Sequence, residues 1–183
     1  RDPIERARSR WTEQHSWAKK IETHSSFEEY VAHELPKLKL CLEGAAGSLE
    51  TETHCAARSN ILGLSLYDSA IALWLRHYRP EDLLVLFLEQ LAASPQSVAS
   101  AVHLHLGIED RQYNNSLLHA RFNEKGHYGW KKTGALATLQ TGNGTSMVEL
   151  YNFYRPHMER LKGMADQGLI SKLPASWIAR WHL

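Results

Sequence analysis

A single apolar run places the strongest limit on the fold of this chain. Leu83–Leu88 reads Leu-Leu-Val-Leu-Phe-Leu, which is too short for a free-standing helix and typical of a strand covered on both faces in a parallel sheet. A buried strand must pair its backbone groups with neighbouring strands, and the rest of the sequence predicts no second strand as clearly. We therefore predict an α/β fold, with this chain mostly helical and the partner strands mostly upstream. The absence of an initiating Met fits the same expectation of a fragment.

Helix signals surround this run. Asp2 is a suitable N-cap, Pro3 suits the first helical position, and Glu5 completes a capping box, so a helix is expected as far as Trp17. A second helix with a cap of the Ser-x-x-Glu kind is expected to begin at Ser25-Ser26, with a disturbance at Pro36.

Later segments follow the same logic. One helical face is apolar at the spacing of a buried stripe, comprising Tyr67, Ala70, Ile71, Trp74, Leu75 and Tyr78. Ser94 and Pro95 start another helix that Gly107 stops. A loop-rich stretch from 112 to 146 precedes a last long helix, which we expect Pro156 to interrupt.

Charge and apolar content exclude two classes of function. Lys and Arg number 21 against 20 Asp and Glu, so no bulk field draws the chain to nucleic acid or to a membrane surface. No apolar run approaches the roughly 18 residues that a membrane helix needs, and the start lacks the pattern of a signal peptide. Any anion site must therefore be local.

The two cysteines, Cys41 and Cys55, are too few for a four-Cys zinc site and lack CxxC spacing, so no metal centre is expected. They flank a loop-like stretch rich in Gly, Ala, Ser and Thr. They can form a disulfide in an oxidising compartment or remain buried thiols. Two glycosylation sequons, at Asn114 and Asn143, favour a secretory lumen.

Arg1 stands just before a predicted helix start, and Ser9 lies two turns inside that helix. A helix N-terminus offers N–H groups and partial positive charge, and an arginine adds a bidentate grip on phosphate. The same residues also suit an ordinary capped amphipathic helix with solvated arginines. From the residue types alone, both interpretations remain open.

Three blocks of sequence, in order along the chain, resemble the sulfotransferases. The first block, Arg1–Ser9, resembles their 3′-phosphate motif, in which Arg, Asn or Asp, and Pro precede Arg-Ala and a Ser. The second block, Ser65–Ile108, resembles their Tyr…Leu-x-x-Trp-Leu helix, strand, Glu-x-Leu…Pro turn and helix ending in Leu-Gly. The third block, Leu150–Leu161, is similar to the Phe-Tyr-Arg-Pro-x-x-x-x-Leu segment of Golgi carbohydrate sulfotransferases, with the chondroitin-type branch nearest.

The resemblance implies the C-terminal part of a P-loop-like sulfotransferase domain spanning 1–183 and lacking the upstream strand-loop-helix that binds the 5′-phosphosulfate. Arg1 and Ser9 would bind the 3′-phosphate of the donor, 3′-phosphoadenosine 5′-phosphosulfate (PAPS), without a metal. The catalytic residue is expected upstream of Arg1, so the fragment alone would be inactive. A Gly-rich stretch holding Lys125, Lys131 and Lys132 lies where the family closes a loop over the nucleotide, but no individual role is assigned to these lysines.

The implied partners are the nucleotide donor and a glycan acceptor, with no nucleic acid. The implied location is the Golgi lumen, in a type II membrane protein whose N-terminal anchor lies outside this sequence. There Cys41 and Cys55 would form a disulfide, and Asn114 and Asn143 would be glycosylated.

Two other functions remain open. One is a non-catalytic helical interaction module that keeps a sulfotransferase scaffold, and the other is a cytosolic sulfotransferase of small molecules. Trp74 is expected in the core. Core packing is also favoured for Trp130, Trp177 and Trp181, with sugar stacking as the alternative.

Overall fold

The computed structural model describes residues 1–17, 24–45, 47–118 and 144–183. Within these ranges the chain is mostly helical and contains no β-strand. No helix among these residues has the length and apolar character needed to cross a membrane. These residues also include two short 3₁₀ helices, Gly63–Ser65 and Pro80–Asp82. The α-helices, in chain order, are α1 (Pro3–Trp17), α2 (Phe27–Gly44), α3 (Leu49–Arg58), α4 (Tyr67–Leu75), α5 (Leu88–Ala93), α6 (Pro95–Leu106), α7 (Asn115–Leu118), α8 (Thr145–Asp166) and α9 (Ala175–Trp181).

The chain divides into two compact units. The first comprises Arg1–Leu83 with Gly142–Leu183, and the second comprises Leu84–Thr141. In the first unit, α2 packs on α3 and α8, and α4 packs on the same two helices. Its core is aliphatic and aromatic, with fully buried members that include Val31, Leu35, Leu62, Leu150, Tyr154, Leu161, Trp177 and Trp181. In the second unit, α5 packs on α6.

Local capping chemistry determines where several helices begin and end. Ser26 Oγ accepts the Glu29 amide at 3.1 Å, and Gly107 ends α6 with a φ of 66°, a backbone conformation that glycine adopts without strain. The expected breaks at proline are wrong, because α2 runs through Pro36 and α8 runs through Pro156. Buried side chains on both sides of each proline, such as Leu35 and Leu38 in α2, hold these helices against the core.

The prediction of a β-strand at Leu83–Leu88 is also wrong. The backbone is extended at Leu83, with φ/ψ of −116°/115°, and at Phe87, with φ/ψ of −108°/138°, but residues 83–87 join no sheet among the described residues. Leu88 then begins α5. An apolar run of this length is therefore not enough to form a strand, which also needs a partner segment.

Two further expectations need correction. The stretch between Cys41 and Cys55 is not a loop, because α2 extends to Gly44 and α3 begins at Leu49. Trp74 is not in the core, since 55 % of its surface is exposed. Helix α4 instead turns its polar residues inward, and Asp68 and Ser69 are buried where they bond to side chains of α8 and α3.

Candidate functional site

The start of α1 is built around a buried aspartate. Asp2 is only 3 % exposed, and its Oδ1 accepts the amides of Ile4 at 3.0 Å and Glu5 at 3.2 Å. This confirms Asp2 as the predicted cap. It also corrects one part of the anion-site hypothesis, because a carboxylate already satisfies the two amides that a phosphate would use. An anion at this end of α1 must be bound by side chains.

Arg1 and Ser9 supply such side chains and lie together on the surface. The Arg1 guanidinium donates to Ser9 Oγ at 2.7 Å, and both residues are exposed. The guanidinium of Arg1 carries five N–H donors, and the Ser9 hydroxyl accepts this bond through its oxygen while it keeps a proton of its own. The pair therefore presents a cationic fork and a neutral donor side by side, which is the chemistry that a phosphate group requires.

The other arginines of α1 have structural partners. Arg6 donates to the carbonyls of Ile61 at 2.9 Å and of Asn60 at 3.2 Å. Arg8 is buried with its guanidinium 5.5 Å from the ring centre of Phe27, a distance at which a cation–π attraction operates. Arg10 pairs with Glu13. Among the described arginines of the first block, Arg1 is exposed, Arg6 is half-buried and Arg8 is buried.

Two side chains of the second block hold the first block in place. Tyr67, at the start of α4, donates its hydroxyl proton to the carbonyl oxygen of Arg1 at 2.8 Å. Ser65 donates from its buried hydroxyl to the carbonyl oxygen of Pro3 at 3.0 Å. These bonds join residues more than 60 positions apart, so the backbone on which Arg1 stands is anchored to α4.

The third block joins the second through a buried ionic cluster. Asp68 is 2 % exposed, with Nε of Arg160 at 2.7 Å and Nδ1 of His157 at 3.0 Å from its two carboxylate oxygens. Burial by itself would raise the pKa of Asp68, but the bonds and charges of His157 and Arg160 outweigh it, and the pKa lies below its ordinary value. Nearby, Tyr154 donates to the carbonyl of Leu62 at 2.8 Å. The sequence analysis did not predict this cluster. The one signal in the sequence was Asp68 itself, an acidic residue in the otherwise largely apolar helix α4.

The C-terminal helix closes over the start of α1. Trp181 is fully buried and its indole Nε1 donates to Asp2 Oδ2 at 2.9 Å. The Trp181 ring stacks on Tyr151 with centroids 4.6 Å apart, and the Trp177 ring stacks on Tyr67 at 6.3 Å. Because both tryptophans are buried, the packing interpretation is confirmed for them over sugar stacking.

The cysteines and one of the two sequons lie among the described residues. Cys41 and Cys55 form a disulfide between α2 and α3, with Cα atoms 5.8 Å apart. Asn114 is exposed, and its Oδ1 accepts the hydroxyl of Ser116 at 3.0 Å. Lys125, Lys131, Lys132, Trp130 and Asn143 lie outside the described residues.

Two histidine clusters are stabilised by neighbouring side chains of the same unit. His24, His33 and Glu34 bring ligand atoms within 4.8 Å of one another, but the Lys37 ammonium lies 3.3 Å from His33 Nδ1 and 2.8 Å from Glu34 Oε1. The Lys37 ammonium therefore pairs with two of these three groups. In the second unit, buried His103 lies between Asp110 at 2.9 Å and the Tyr113 hydroxyl at 3.0 Å, which ties the segment after α6 back onto that helix.

Comparison of the chain with protein-family models, curated proteins and solved structures finds no match.

Proposed function

We propose that this chain is the C-terminal part of a carbohydrate O-sulfotransferase with a P-loop-like α/β fold. Arg1 and Ser9 bind the 3′-phosphate of PAPS, and the sulfuryl group passes to a hydroxyl of a glycan. In this reaction the bond from sulfur to the phosphate oxygen breaks and a bond from sulfur to the sugar oxygen forms. The hydroxyl proton goes to a base, and adenosine 3′,5′-bisphosphate (PAP) leaves.

One observation carries the proposal. The Arg1 guanidinium and the Ser9 hydroxyl, which the resemblance assigns to one phosphate, are in hydrogen-bond contact on an exposed surface. Their arrangement follows from the sequence of α1, because Asp2 fixes the first turn and Ser9 follows two turns later. A guanidinium beside a hydroxyl supports a phosphate site made of side chains, and we propose that it binds the phosphate without a metal ion.

The packing of the three blocks supports the same proposal. Tyr67 and Ser65 of the second block bond to the backbone of the first block, and Asp68 bonds to His157 and Arg160 of the third. The three blocks, which the sequence relates only through their resemblance to one family, thus contact one another in the fold.

The proposal is tested by PAP binding to the full-length protein. Arg1→Ala and Ser9→Ala each remove one phosphate contact, and loss of a charge-assisted bond is worth about 1.5–3 kcal/mol for the arginine. We expect at least a tenfold rise in Kd for Arg1→Ala and a smaller rise for Ser9→Ala. Arg79→Ala, which removes an exposed arginine paired with Asp82, is the matched control. Unchanged affinity in both site variants would contradict the assignment.

We also propose a Golgi location, with membrane attachment through an anchor outside this sequence. The disulfide between Cys41 and Cys55 supports an oxidising compartment, and the exposed Asn114 offers an accessible glycan acceptor. Mass spectrometry of the native protein tests this. An intact disulfide and a glycan on Asn114 are expected, whereas two free thiols and an unmodified Asn114 would indicate the cytosolic alternative.

A non-catalytic interaction module is the second candidate, and one observation favours it. Trp74 and Tyr78 expose 55 % and 48 % of their surfaces, with ring centres 5.3 Å apart. Exposed aromatic side chains are common in protein-binding surfaces. Nucleotide binding separates the candidates, because a module that only keeps the scaffold has no use for the 3′-phosphate.

A further inference from the structure

The two carboxylate oxygens of Asp2 accept hydrogen bonds from two different parts of the chain. Its Oδ1 accepts the amides of Ile4 and Glu5 at the start of α1. Its Oδ2 accepts the indole N–H of Trp181 at 2.9 Å, in a fully buried contact. With both oxygens engaged, the carboxylate cannot rotate without breaking a hydrogen bond in a place that water does not reach.

The position of Arg1 depends on this carboxylate. Arg1 directly precedes the cap, so the backbone angles of Asp2 determine how the chain at Arg1 is directed relative to α1. From this position its guanidinium reaches Ser9, about two turns inside α1. Trp181 is itself fixed, because its ring stacks on Tyr151 with an interplanar angle of 4°.

We propose that Trp181 is a positioning residue for the phosphate site, acting through Asp2 on Arg1 without contacting the ligand. This inference rests on the proposed function, since it takes the 3′-phosphate as the anion that Arg1 and Ser9 bind. It assigns to the C-terminal helix α9 a role in nucleotide recognition that no motif in the sequence indicates.

The test compares two nucleotides on the full-length protein. PAP carries the 3′-phosphate and adenosine 5′-monophosphate does not, so the ratio of their affinities reports on the Arg1–Ser9 site. Trp181→Phe keeps a six-membered aromatic ring beside Tyr151 and removes the N–H donor together with the five-membered ring. We expect it to weaken PAP binding about fivefold and to leave the monophosphate affinity unchanged.

Tyr154→Phe is the matched control, because it removes a buried hydroxyl that bonds to the Leu62 carbonyl at 2.8 Å. It should lower stability without changing the affinity ratio. If Trp181→Phe does not fold, Asp2→Asn serves instead, since it keeps the capping oxygen and turns an NH₂ group toward the indole N–H. The loss of the negative charge of Asp2 would by itself strengthen anion binding. A weaker PAP affinity in Asp2→Asn would therefore show that Arg1 has moved and could not be explained by the change in charge.

The outcomes separate the two claims. A wild-type protein that binds both nucleotides equally overturns the proposed function and this inference with it. If the wild type prefers PAP and Trp181→Phe keeps the same affinity ratio, this inference alone is overturned. Asp2→Asn is read in the same way where Trp181→Phe does not fold. A preference that falls in those variants and not in Tyr154→Phe supports it.

Discussion

Replacement of Asp68 by asparagine tests the ionic cluster that joins the second and third blocks. The aspartate is 2 % exposed and holds Arg160 at 2.7 Å and His157 at 3.0 Å. The asparagine side chain would keep one oxygen acceptor but lose the negative charge that both partners contact. The substitution should therefore loosen α4 from α8 without creating a cavity, because the two side chains have nearly the same shape.

The magnitude follows from the exposure of the partners. A hydrogen bond to a charged group contributes about 1.5–3 kcal/mol, and two such bonds are weakened. The Arg160 side chain is 53 % exposed and regains water when it is released, whereas the His157 side chain is only 13 % exposed. We expect a loss of ~2 kcal/mol in the free energy of unfolding, or about 4–8 °C in Tm.

The effect should depend on pH with a definite sign. Because the folded-state pKa of Asp68 is lowered, its stabilisation is present above the unfolded pKa of about 4 and is lost as pH falls through the folded pKa. Urea unfolding of wild type and Asp68→Asn at pH 7, 5, 4 and 3 should show the difference shrinking at the acid end.

Asp166→Asn is the matched control, since that exposed carboxylate pairs with Lys162 on the same helix α8. It should change stability by less than about 0.5 kcal/mol. A structural role for the buried charge is refuted if Asp68→Asn costs no more than Asp166→Asn at neutral pH, or if its cost grows as pH falls from 5 to 3.

Two further predictions concern stability. Gly63→Ala places a Cβ against the backbone oxygen of Ala56 and 2.6 Å from its Cα, whereas a Cβ at Gly163 would meet open space. Thermal unfolding should show Gly63→Ala destabilised by about 3 kcal/mol and Gly163→Ala unchanged or up to about 1 kcal/mol more stable. Equal effects of the two substitutions would contradict the close contact at Gly63. Cys41→Ser/Cys55→Ser opens a link between residues 14 apart, so denaturant unfolding should show a loss of about 3 kcal/mol, and an unchanged midpoint would show that the disulfide does not constrain the unfolded chain.

Sequence patterns predicted those features of the fold that depend on neighbouring residues. The caps at Asp2 and Ser26 and the stop at Gly107 are local hydrogen-bond and backbone effects, and the structure confirms them. The breaks expected at Pro36 and Pro156 fail because tertiary burial outweighs the lost backbone bond. The strand that was expected at Leu83 fails because pairing is a property of two segments, and a single apolar run specifies only one.

The candidate site divides in the same way. Arg1 directly precedes the cap of α1 and Ser9 lies about two turns inside that helix, so the two residues are close in sequence, and the structure brings them into contact. Asp68 and His157 stand 89 positions apart, and each looks like an ordinary polar residue in its own helix. Their pairing, like that of Asp2 with Trp181, depends on how the helices pack and has no local signature.

The central claim is most directly tested by sulfuryl transfer itself. Full-length wild-type protein and its Arg1→Ala variant would be incubated with PAPS labelled in the sulfuryl group, with chondroitin or a small phenol as acceptor. The account predicts that label enters chondroitin with the wild type, falls at least tenfold with Arg1→Ala at limiting PAPS, and does not enter the phenol. Transfer to the phenol alone, or the absence of transfer to either acceptor by the wild type, would contradict it.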